Sequence, residues 1–255
     1  MDYLNYGNKV QQKPQGFGQQ KVELNKNDFS FGNLNSQSVS SPVEPKTKDE
    51  LMQLFPVPIL ISSYPFDYSK ELEWIKKQPD SGISNSLNKT SLNRQSEDTF
   101  ILDNPEMSRV RQFIDSKLKE FVSNIMGSDA EMVITQSWLN RNGKGELHHE
   151  HTHPNSMVSG VWYPQINEKL PPIQFKTGQQ IGMAFPIKKY NYYNSETFLL
   201  PLKKGELILF PSTLSHSVPI NRSDEERISL SFNTWCKGSL GNINSLTYLP
   251  LERCV

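Results

Sequence analysis

The chain has 255 residues, and its 27 lysines and arginines balance 27 aspartates and glutamates, so the formal net charge is zero. A neutral chain has no long-range field to gather nucleic acid or an anionic membrane, and we expect neither as a partner. The length suits one domain of roughly 200 residues with an appendage.

Two features bear on the compartment. The cysteines, Cys236 and Cys254, form no CxxC pair. No apolar core follows Met1, as a signal peptide requires, and the most apolar run, Leu54–Ile61, is short and contains prolines. We therefore expect free thiols and a cytoplasmic location.

Residues 1–50 differ in composition from the rest of the chain. They are rich in Asn, Gln, Ser and Lys and carry scattered aromatic residues, namely Tyr3, Tyr6, Phe17, Phe29 and Phe31. Such a segment buries too little apolar surface to offset the entropy of ordering it. We predict a disordered or docking N-terminal arm over residues 1–50, whose aromatics would meet a protein partner, and a folded domain over residues 51–255.

The folded domain begins with short elements. Leu54–Ile61 is typical of an edge strand, because its prolines cannot donate to a central ladder. Asp67 is a plausible N-cap for a helix that runs through Gln78, with Leu72 and Ile75 on its apolar side. A polar loop, Ser81–Ser96, follows.

A longer helix is predicted over Pro105–Met126. Asn104 can cap it, and Gly127 can end it. Its apolar residues recur at intervals of three and four: Met107, Val110, Ile114, Leu118, Phe121, Val122 and Ile125. This spacing indicates one buried face, which packs against a sheet.

From Glu131 onward the hydrophobic period changes to two. The candidate strands are Met132–Asn140, Ser159–Tyr163, Ile173–Lys176, Gly182–Pro186, Thr197–Leu202, Glu206–Phe210, Ser217–Ile220 and Arg227–Trp235. Short strands that follow two helices predict a mainly β fold, an antiparallel sandwich or jelly roll with flanking helices on one side.

The five histidines fall in two places, four within residues 148–153 and the fifth at position 216. Neutral imidazole is a good ligand for transition metals, and alternate residues of an extended strand face the same way. His149, His151 and His153 could therefore converge, with His216 closing the site from an opposing strand. A lone histidine is more often structural, but this cluster favours a metal site.

A strict alternation marks Arg227–Asn233. The apolar side chains Ile228, Leu230 and Phe232 face one way, and the polar side chains Arg227, Ser229, Ser231 and Asn233 face the other. An arginine fork among hydroxyls on an inner wall suits a carboxylate ligand. The alternative is a solvent-facing stripe in which Arg227 pairs with Asp224, Glu225 or Glu226.

Several segments between Leu51 and Trp235 together resemble one family. They are Phe55–Pro58, Trp138–Asn140, His151–Ser156, Ser159–Tyr163, Gly205–Ser212, His216 and Arg227–Asn233. In this order they resemble the 2-oxoglutarate and Fe(II)-dependent oxygenases, and within that superfamily a group found in bacteria and in phages of cyanobacteria.

The resemblance implies a double-stranded β-helix, or jelly roll, over residues 51–255, with Fe(II) and the cosubstrate 2-oxoglutarate. The usual site has two histidines and one carboxylate, arranged as HxD or HxE and a distant histidine. An arginine after the distant histidine binds the far carboxylate of 2-oxoglutarate, often with a serine two residues on. The resemblance thus assigns His216 to the metal, and Arg227 and Ser229 to the cosubstrate.

The first metal motif departs from the family pattern. His151-Thr152-His153 has a histidine where Asp or Glu is usual. We predict that His151, His153 and His216 hold the metal. The alternative register uses His148 and Glu150, which would restore a carboxylate. Three histidines would change the charge and ligand field of the iron.

The implied activity is that of a dioxygenase that hydroxylates a small-molecule or peptide substrate, with prolyl hydroxylation as a guess by analogy. No catalytic residue beyond the metal ligands is predicted. Trp138, Asn140 and Tyr163 are candidates to line the cofactor pocket. For Trp138 core packing is preferred, and for Tyr163 the core and the pocket stay open. Lys188–Ser195 is predicted to be either a lid or an exposed hairpin tip.

Two other functions compete with this one. A cupin-like dioxygenase could use three histidines without 2-oxoglutarate, but it would not need Arg227. A non-catalytic jelly roll, such as a phage particle component, could keep a degenerate metal site while residues 1–50 order on a partner subunit. An enzyme would lie in the cytoplasm, that of the host if a phage encodes it, and a particle component would lie in the virion.

Overall fold

The computed structural model describes residues 55–81, 93–178 and 186–251. The predicted arm over residues 1–50 lies outside this part of the chain. So does the predicted strand Gly182–Pro186, except for Pro186, which belongs to no strand. Cys236 is a buried free thiol, and Cys254 lies outside the described residues.

Ten β-strands make up most of the described chain. They are β1 (Leu60–Ser63), β2 (Arg94–Gln95), β3 (Met132–Asn142), β4 (His148–His151), β5 (Val158–Gln165), β6 (Ile173–Lys176), β7 (Thr197–Leu200), β8 (Glu206–Pro211), β9 (His216–Val218) and β10 (Arg227–Cys236). The strands predicted in the second half are confirmed to within a few residues, except the one outside the described ranges.

The strands form two antiparallel sheets. The larger sheet has the order β1-β8-β5-β10-β3-β2, and the smaller has the order β4-β9-β6-β7. Strands that are neighbours in each sheet are mostly distant in sequence, which is the winding of a jelly roll. The predicted fold class, a jelly roll with flanking helices, is confirmed.

Two α-helices and several short 3-10 and π turns precede the main strands. Helix α1 is Ser69–Lys77 and helix α2 is Ser108–Glu120. The 3-10 turn Pro105–Met107 comes directly before α2, and the π turn Phe121–Ile125 comes directly after it. The predicted long helix is thus confirmed in extent, but it changes its hydrogen-bonding pattern at both ends.

The predicted N-cap Asp67 is one residue too early, and the predicted N-cap Asn104 is at the expected position but makes no capping hydrogen bond through its side chain. Helix α1 begins after Tyr68, although Asp67 still accepts a hydrogen bond from the Ser69 hydroxyl at 2.7 Å. The side-chain amide of Asn104 donates to Asp98 at 2.8 Å and to the carbonyl of Ile101 at 3.2 Å. Asn104 is thus the N-cap residue of the 3-10 turn that begins at Pro105, but its side chain bonds to the preceding turn and not to the helix.

The core has two layers, one on each face of the larger sheet. On one face, Val110, Ile114 and Leu118 of α2 pack with Ile228, Leu230 and Phe232 of β10. On the other face, Tyr163 and Phe210 pack with side chains of the smaller sheet such as Phe175. Because both faces are covered, β5 and β10 are buried along almost their whole length.

Three boundaries differ from the sequence prediction. The edge strand β1 begins at Leu60, later than predicted, and Phe55 is 89% exposed. The predicted polar loop contains β2, which pairs with β3. Strand β4 forms through the histidine cluster because it pairs with β9.

No helix in the described ranges is long and apolar enough to cross a membrane.

Candidate active site

Three histidines converge between the two sheets. His151 of β4 lies opposite His216 of β9 in the ladder, and the backbone N–H of His153 donates to the carbonyl of Ser212 at 3.0 Å. One ring nitrogen from each of the three lies within 4.8 Å of the others. The Nε2 atoms of His153 and His216 are 3.2 Å apart.

Backbone carbonyls set the tautomers of two of these rings. Nδ1 of His151 lies 2.8 Å from the carbonyl oxygen of His149, and Nδ1 of His216 lies 2.9 Å from that of Leu214. A carbonyl only accepts, so each Nδ1 carries the proton and each Nε2 presents a lone pair. Nε2 atoms held at right angles about a metal, with bonds of about 2.1 Å, lie about 3 Å apart. The 3.2 Å between His153 and His216 therefore suits two ligands of one divalent cation, and a ring nitrogen of His151 lies within 4.8 Å of both.

Burial keeps these rings neutral. It lowers the pKa of His153 to about 3 and that of His216 to about 4, and the neighbouring histidines act in the same direction. Burial also lowers the pKa of His151. Near neutral pH the three imidazoles are therefore uncharged, and Nε2 of His151 and Nε2 of His216 carry no proton that a metal would have to displace.

The rest of the histidine cluster is arranged differently from the sequence prediction. The pairing of β4 with β9 is irregular between His148 and His151, so the two-residue alternation fails there. His148 and His151 line the cavity, whereas His149 does not. The expectation that His149 joins His151 and His153 is wrong for that reason.

Glu150 lies on the outer side of β4. Its side chain is 48% exposed and accepts hydrogen bonds from Lys176 at 3.1 Å and from the Ser215 hydroxyl at 2.9 Å. The alternative register would thus bring His148 but no carboxylate into the cavity.

Arg227 lies at the first residue of β10 and is 2% exposed. Its Nη1 donates to Oδ1 of Asn142 at 3.2 Å and to Oγ of Ser229 at 3.1 Å. Its guanidinium carbon lies 5.1 Å from the centre of the Tyr163 ring. The predicted alternation along this strand is confirmed, and its polar side faces inward.

The three acidic residues before Arg227 pair elsewhere. Asp224 pairs with Lys144 at 2.6 Å, and Glu226 pairs with Arg94 at 2.6 Å. Glu225 accepts from the side-chain amide of Asn167 at 2.6 Å. The solvent-facing stripe is therefore wrong, and among the described residues no carboxylate neutralises Arg227.

One cavity joins the histidines to Arg227. Three of its lining residues have a buried polar atom without a hydrogen-bond partner in the described part of the chain: Nε1 of Trp138, the hydroxyl of Tyr163 and Nε of Arg227. A buried, unpaired cation is costly. The cavity therefore fits an anion, which the Arg227 fork and the Tyr163 hydroxyl can bind together.

Tyr163 stays a hydrogen-bond donor over the whole working range of pH. Burial raises the pKa of its hydroxyl to about 12, although the nearby Arg227 acts in the opposite direction. Asn140, the other predicted pocket residue, is buried and also lines the cavity. Trp138 was expected in the core, but it lines the cavity beside His153.

Sequence reasoning missed several residues of this site. Ser231 lines the cavity and was seen as inward-facing, but it received no role. Asn142 contacts Arg227 and lies two residues beyond Asn140 on the same side of β3, just past the predicted end of the strand. Asn93 contacts both asparagines from another part of the chain, and nothing in the sequence marks it.

The tyrosine-rich segment Lys188–Ser195 is exposed. Tyr190, Tyr192 and Tyr193 are 71%, 81% and 55% accessible, and Tyr192 packs against Phe198 of β7. None of these side chains lines the cavity, so in this structure the segment is an exposed tip.

Residues 136–233 match a protein family described as "Putative 2OG-Fe(II) oxygenase". This segment runs from β3 to β10 and contains the three converging histidines and Arg227. This segment is therefore similar to the 2-oxoglutarate and Fe(II)-dependent oxygenases, and the match supports Fe(II) and 2-oxoglutarate as cofactors. No curated protein matches the chain.

Solved structures share the fold at low sequence identity. The carbocyclase SnoK from nogalamycin biosynthesis, described as non-heme and α-ketoglutarate-dependent, is 10% identical, with a TM-score of 0.51 over 72% of this chain and 81% of its own. HygX from Streptomyces hygroscopicus, with nickel and 2-oxoglutarate bound, is 10% identical, with a TM-score of 0.50 over 70% of this chain and 82% of its own. At this identity the likeness concerns the fold.

Proposed function

We propose that this oxygenase hydroxylates a C–H bond of its substrate at a site where His151, His153 and His216 hold Fe(II) and Arg227 holds 2-oxoglutarate. The observation that carries the proposal is Arg227. It is buried, lacks a carboxylate partner in the described chain, and opens into the same cavity as the three histidines.

Each residue has a role that follows from its contacts. His151 and His216 present Nε2 because backbone carbonyls hold their Nδ1 protons. Asn142 and Ser229 fix Nη1 of Arg227, which leaves Nε to donate to the far carboxylate of 2-oxoglutarate. The Tyr163 hydroxyl supplies a second donor.

The bound iron and 2-oxoglutarate together supply dioxygen activation: one oxygen atom enters the substrate C–H bond, and the other enters succinate as carbon dioxide leaves 2-oxoglutarate. The chain would orient these groups from the cavity wall, which includes the buried side chains of Tyr163 and Asn140. Three neutral imidazoles leave the charge of a divalent cation uncompensated by the protein, which favours an anionic cosubstrate.

The competing functions account less well for Arg227. A cupin-like dioxygenase without 2-oxoglutarate has no use for an unpaired buried arginine beside its metal site. A non-catalytic jelly roll would retain the energetic cost of that charge without a ligand to offset it.

For the substrate, we propose a peptide, with a prolyl residue as the first to test. This proposal rests on analogy within the oxygenase superfamily. Screening short proline-containing peptides for succinate release above the uncoupled rate, and for a mass gain of one oxygen atom, would test it. A small molecule that is hydroxylated when no peptide is would replace the proposal.

The binding site itself is tested without a substrate. Anaerobic addition of Fe(II) and then 2-oxoglutarate should produce the weak metal-to-ligand absorption band of the chelate. The band should be absent in His216→Ala, and it should need far more 2-oxoglutarate in Arg227→Ala. Glu150→Gln is the matched control, since loss of the band there would instead favour the register with His148 and Glu150. A wild type that retains no metal would refute the proposed function.

A further inference from the structure

A chain of side-chain amides lies behind the polar wall of the cavity. Its centre is Asn93, which is 4% exposed, precedes β2 and does not line the cavity itself. Nδ2 of Asn93 donates to Oδ1 of Asn140 at 2.7 Å, and Oδ1 of Asn93 accepts from Nδ2 of Asn142 at 2.9 Å. One buried amide thus joins two neighbouring inward-facing residues of β3.

The hydrogen bonds of this chain all run in one direction. Arg227 donates to Asn142, which donates to Asn93, which donates to Asn140. Asn140 in turn donates to Oγ of Ser231 at 2.9 Å. Because arginine can only donate, the oxygen of Asn142 must face it, and this choice fixes each following amide in turn.

The direction of these hydrogen bonds determines whether the Ser231 hydroxyl donates to a ligand or accepts from it. Its oxygen accepts from Asn140 behind the wall, and its hydroxyl lines the cavity. In the described ranges no acceptor takes its proton. A hydroxyl that accepts from one side is set to donate from the other. Ser231 is therefore presented to the cavity as a donor.

The spacing along β10 suits a diacid. Ser229 and Ser231 are on the same face, and two residues of an antiparallel strand span roughly 6.8 Å. The two carboxyl carbons of an extended five-carbon diacid are roughly 5 Å apart, given four bonds of about 1.5 Å. With one carboxylate at Arg227 and Ser229, the keto-acid end comes within reach of Ser231.

We propose that Asn93 is a positioning residue for 2-oxoglutarate. It holds the amides of Asn140 and Asn142 so that Ser231 donates to the keto-acid end of the cosubstrate while Arg227 holds the far carboxylate. This inference rests on the proposed function.

The test separates cosubstrate binding from metal binding. The dissociation constants for Mn²⁺ alone, and for 2-oxoglutarate on the Mn²⁺-loaded full chain, are measured anaerobically for the wild type, Asn93→Asp, Asn93→Ala and Ser231→Ala. Asn93→Asp keeps the size of the side chain but cannot donate to Asn140. For each variant we expect about tenfold weaker 2-oxoglutarate binding and an Mn²⁺ constant within about twofold of the wild type.

The double variant Asn93→Ala/Ser231→Ala tests whether Asn93 acts through Ser231. Residues coupled in one network give non-additive effects, so we expect the double variant to lose less affinity than the product of the single losses. Ser137→Ala is the control for a merely structural effect. The Ser137 hydroxyl accepts a buried hydrogen bond from the Leu102 backbone N–H at 2.9 Å, and Ser137 does not line the cavity.

The outcomes are distinct. Wild-type affinity for 2-oxoglutarate in folded Asn93 variants would overturn the inference but leave the proposed function standing. Equal weakening of Mn²⁺ and 2-oxoglutarate, or the same pattern in Ser137→Ala, would reduce Asn93 to a structural residue. If Asn93→Ala fails to fold, the dissociation constants of Asn93→Asp and Ser231→Ala for Mn²⁺ and 2-oxoglutarate decide between these outcomes. A wild type that binds Mn²⁺ but not 2-oxoglutarate would refute both proposals.

Discussion

Nε2 of His153 and Nε2 of His216 lie 3.2 Å apart across the cavity. The Nδ1 proton of His216 is held by the Leu214 carbonyl, so its Nε2 points a lone pair at the other ring. Such a contact is stable when a proton or a cation lies between the two nitrogens. The position of the two nitrogen atoms therefore favours a metal ion bound between them.

Metal binding should stabilise the fold, and the effect should depend on this contact. At a hundredfold excess over its dissociation constant, a divalent cation adds roughly 2.7 kcal/mol to the free energy of unfolding, which raises Tm by several degrees. We expect His153→Ala to abolish the increase, because it removes one of the three ligands, and to lower the Tm of the metal-free protein somewhat, because it also removes the hydrogen bond between the two rings. Thermal melts with and without Mn²⁺ measure both effects, and a persisting shift in His153→Ala would exclude that residue as a ligand.

Replacing Arg227 should separate cosubstrate binding from folding. In Arg227→Met the side chain keeps a similar volume, but the buried charge disappears. We expect binding of 2-oxoglutarate to weaken by about a hundredfold, the scale of hydrogen bonds to a charged group, and stability to change little or to increase. Titration with 2-oxoglutarate measures its dissociation constant, and urea unfolding measures the free energy of unfolding.

Arg227→Lys provides the sharper comparison. Lysine retains the charge but loses the planar fork, so it should bind 2-oxoglutarate more weakly than the wild type does. If Arg227→Lys binds as tightly as the wild type, geometry would play no part in recognition, and charge alone would be enough.

Gly160 should tolerate no side chain, because the ring of Phe232, its partner on the neighbouring strand β10, occupies the space beside it. A Cβ atom at this position would lie 2.0 Å from Cζ of Phe232. We expect Gly160→Ala to lower the free energy of unfolding by about 1–3 kcal/mol and Gly160→Ala/Phe232→Leu to recover part of the loss. Gly178→Ala is the matched control, since a Cβ there meets nothing within 4 Å. Equal losses in both alanine variants would contradict the packing argument.

Arg94 should stabilise the sheet edge through several weak contacts. Its side chain is 40% exposed and pairs with Asp80 at 3.2 Å, Glu146 at 3.1 Å and Glu226 at 2.6 Å. Because solvent screens such pairs, we expect Arg94→Met to cost about 1 kcal/mol at low salt and less at high salt. Urea unfolding at two ionic strengths measures this, and a loss that does not depend on salt would point to packing instead.

Much of the fold and part of the site could be predicted from local patterns. The two-residue period indicates strands, and it also places Arg227 and Ser229 on the inner face of β10, because successive side chains of a strand must alternate. The three- and four-residue spacing of the long helix indicates the face that packs on the sheet. Both patterns depend only on neighbours along the chain.

The helix caps and the histidine register could not be predicted in the same way. Asn104 has the chemistry of a cap, but Asp98 and the Ile101 carbonyl engage its amide. Alternation would unite His149 with His151 at the metal, but the pairing of β4 with β9 is irregular between His148 and His151, and His149 does not line the cavity. In each case a competing contact outweighs the local preference.

The sequence by itself thus determined a mainly β fold, the alternating faces of β10 and the presence of a histidine-rich site, since these follow from periodicity and side-chain chemistry, while the family resemblance implied the jelly roll. Tertiary structure alone decided that His149 stays outside the cavity lining, that Glu150 binds Lys176 outside the cavity, and that Asn93 contacts Asn140 behind its wall. The reason is that these relationships join residues far apart in sequence, and strand pairing sets their distances.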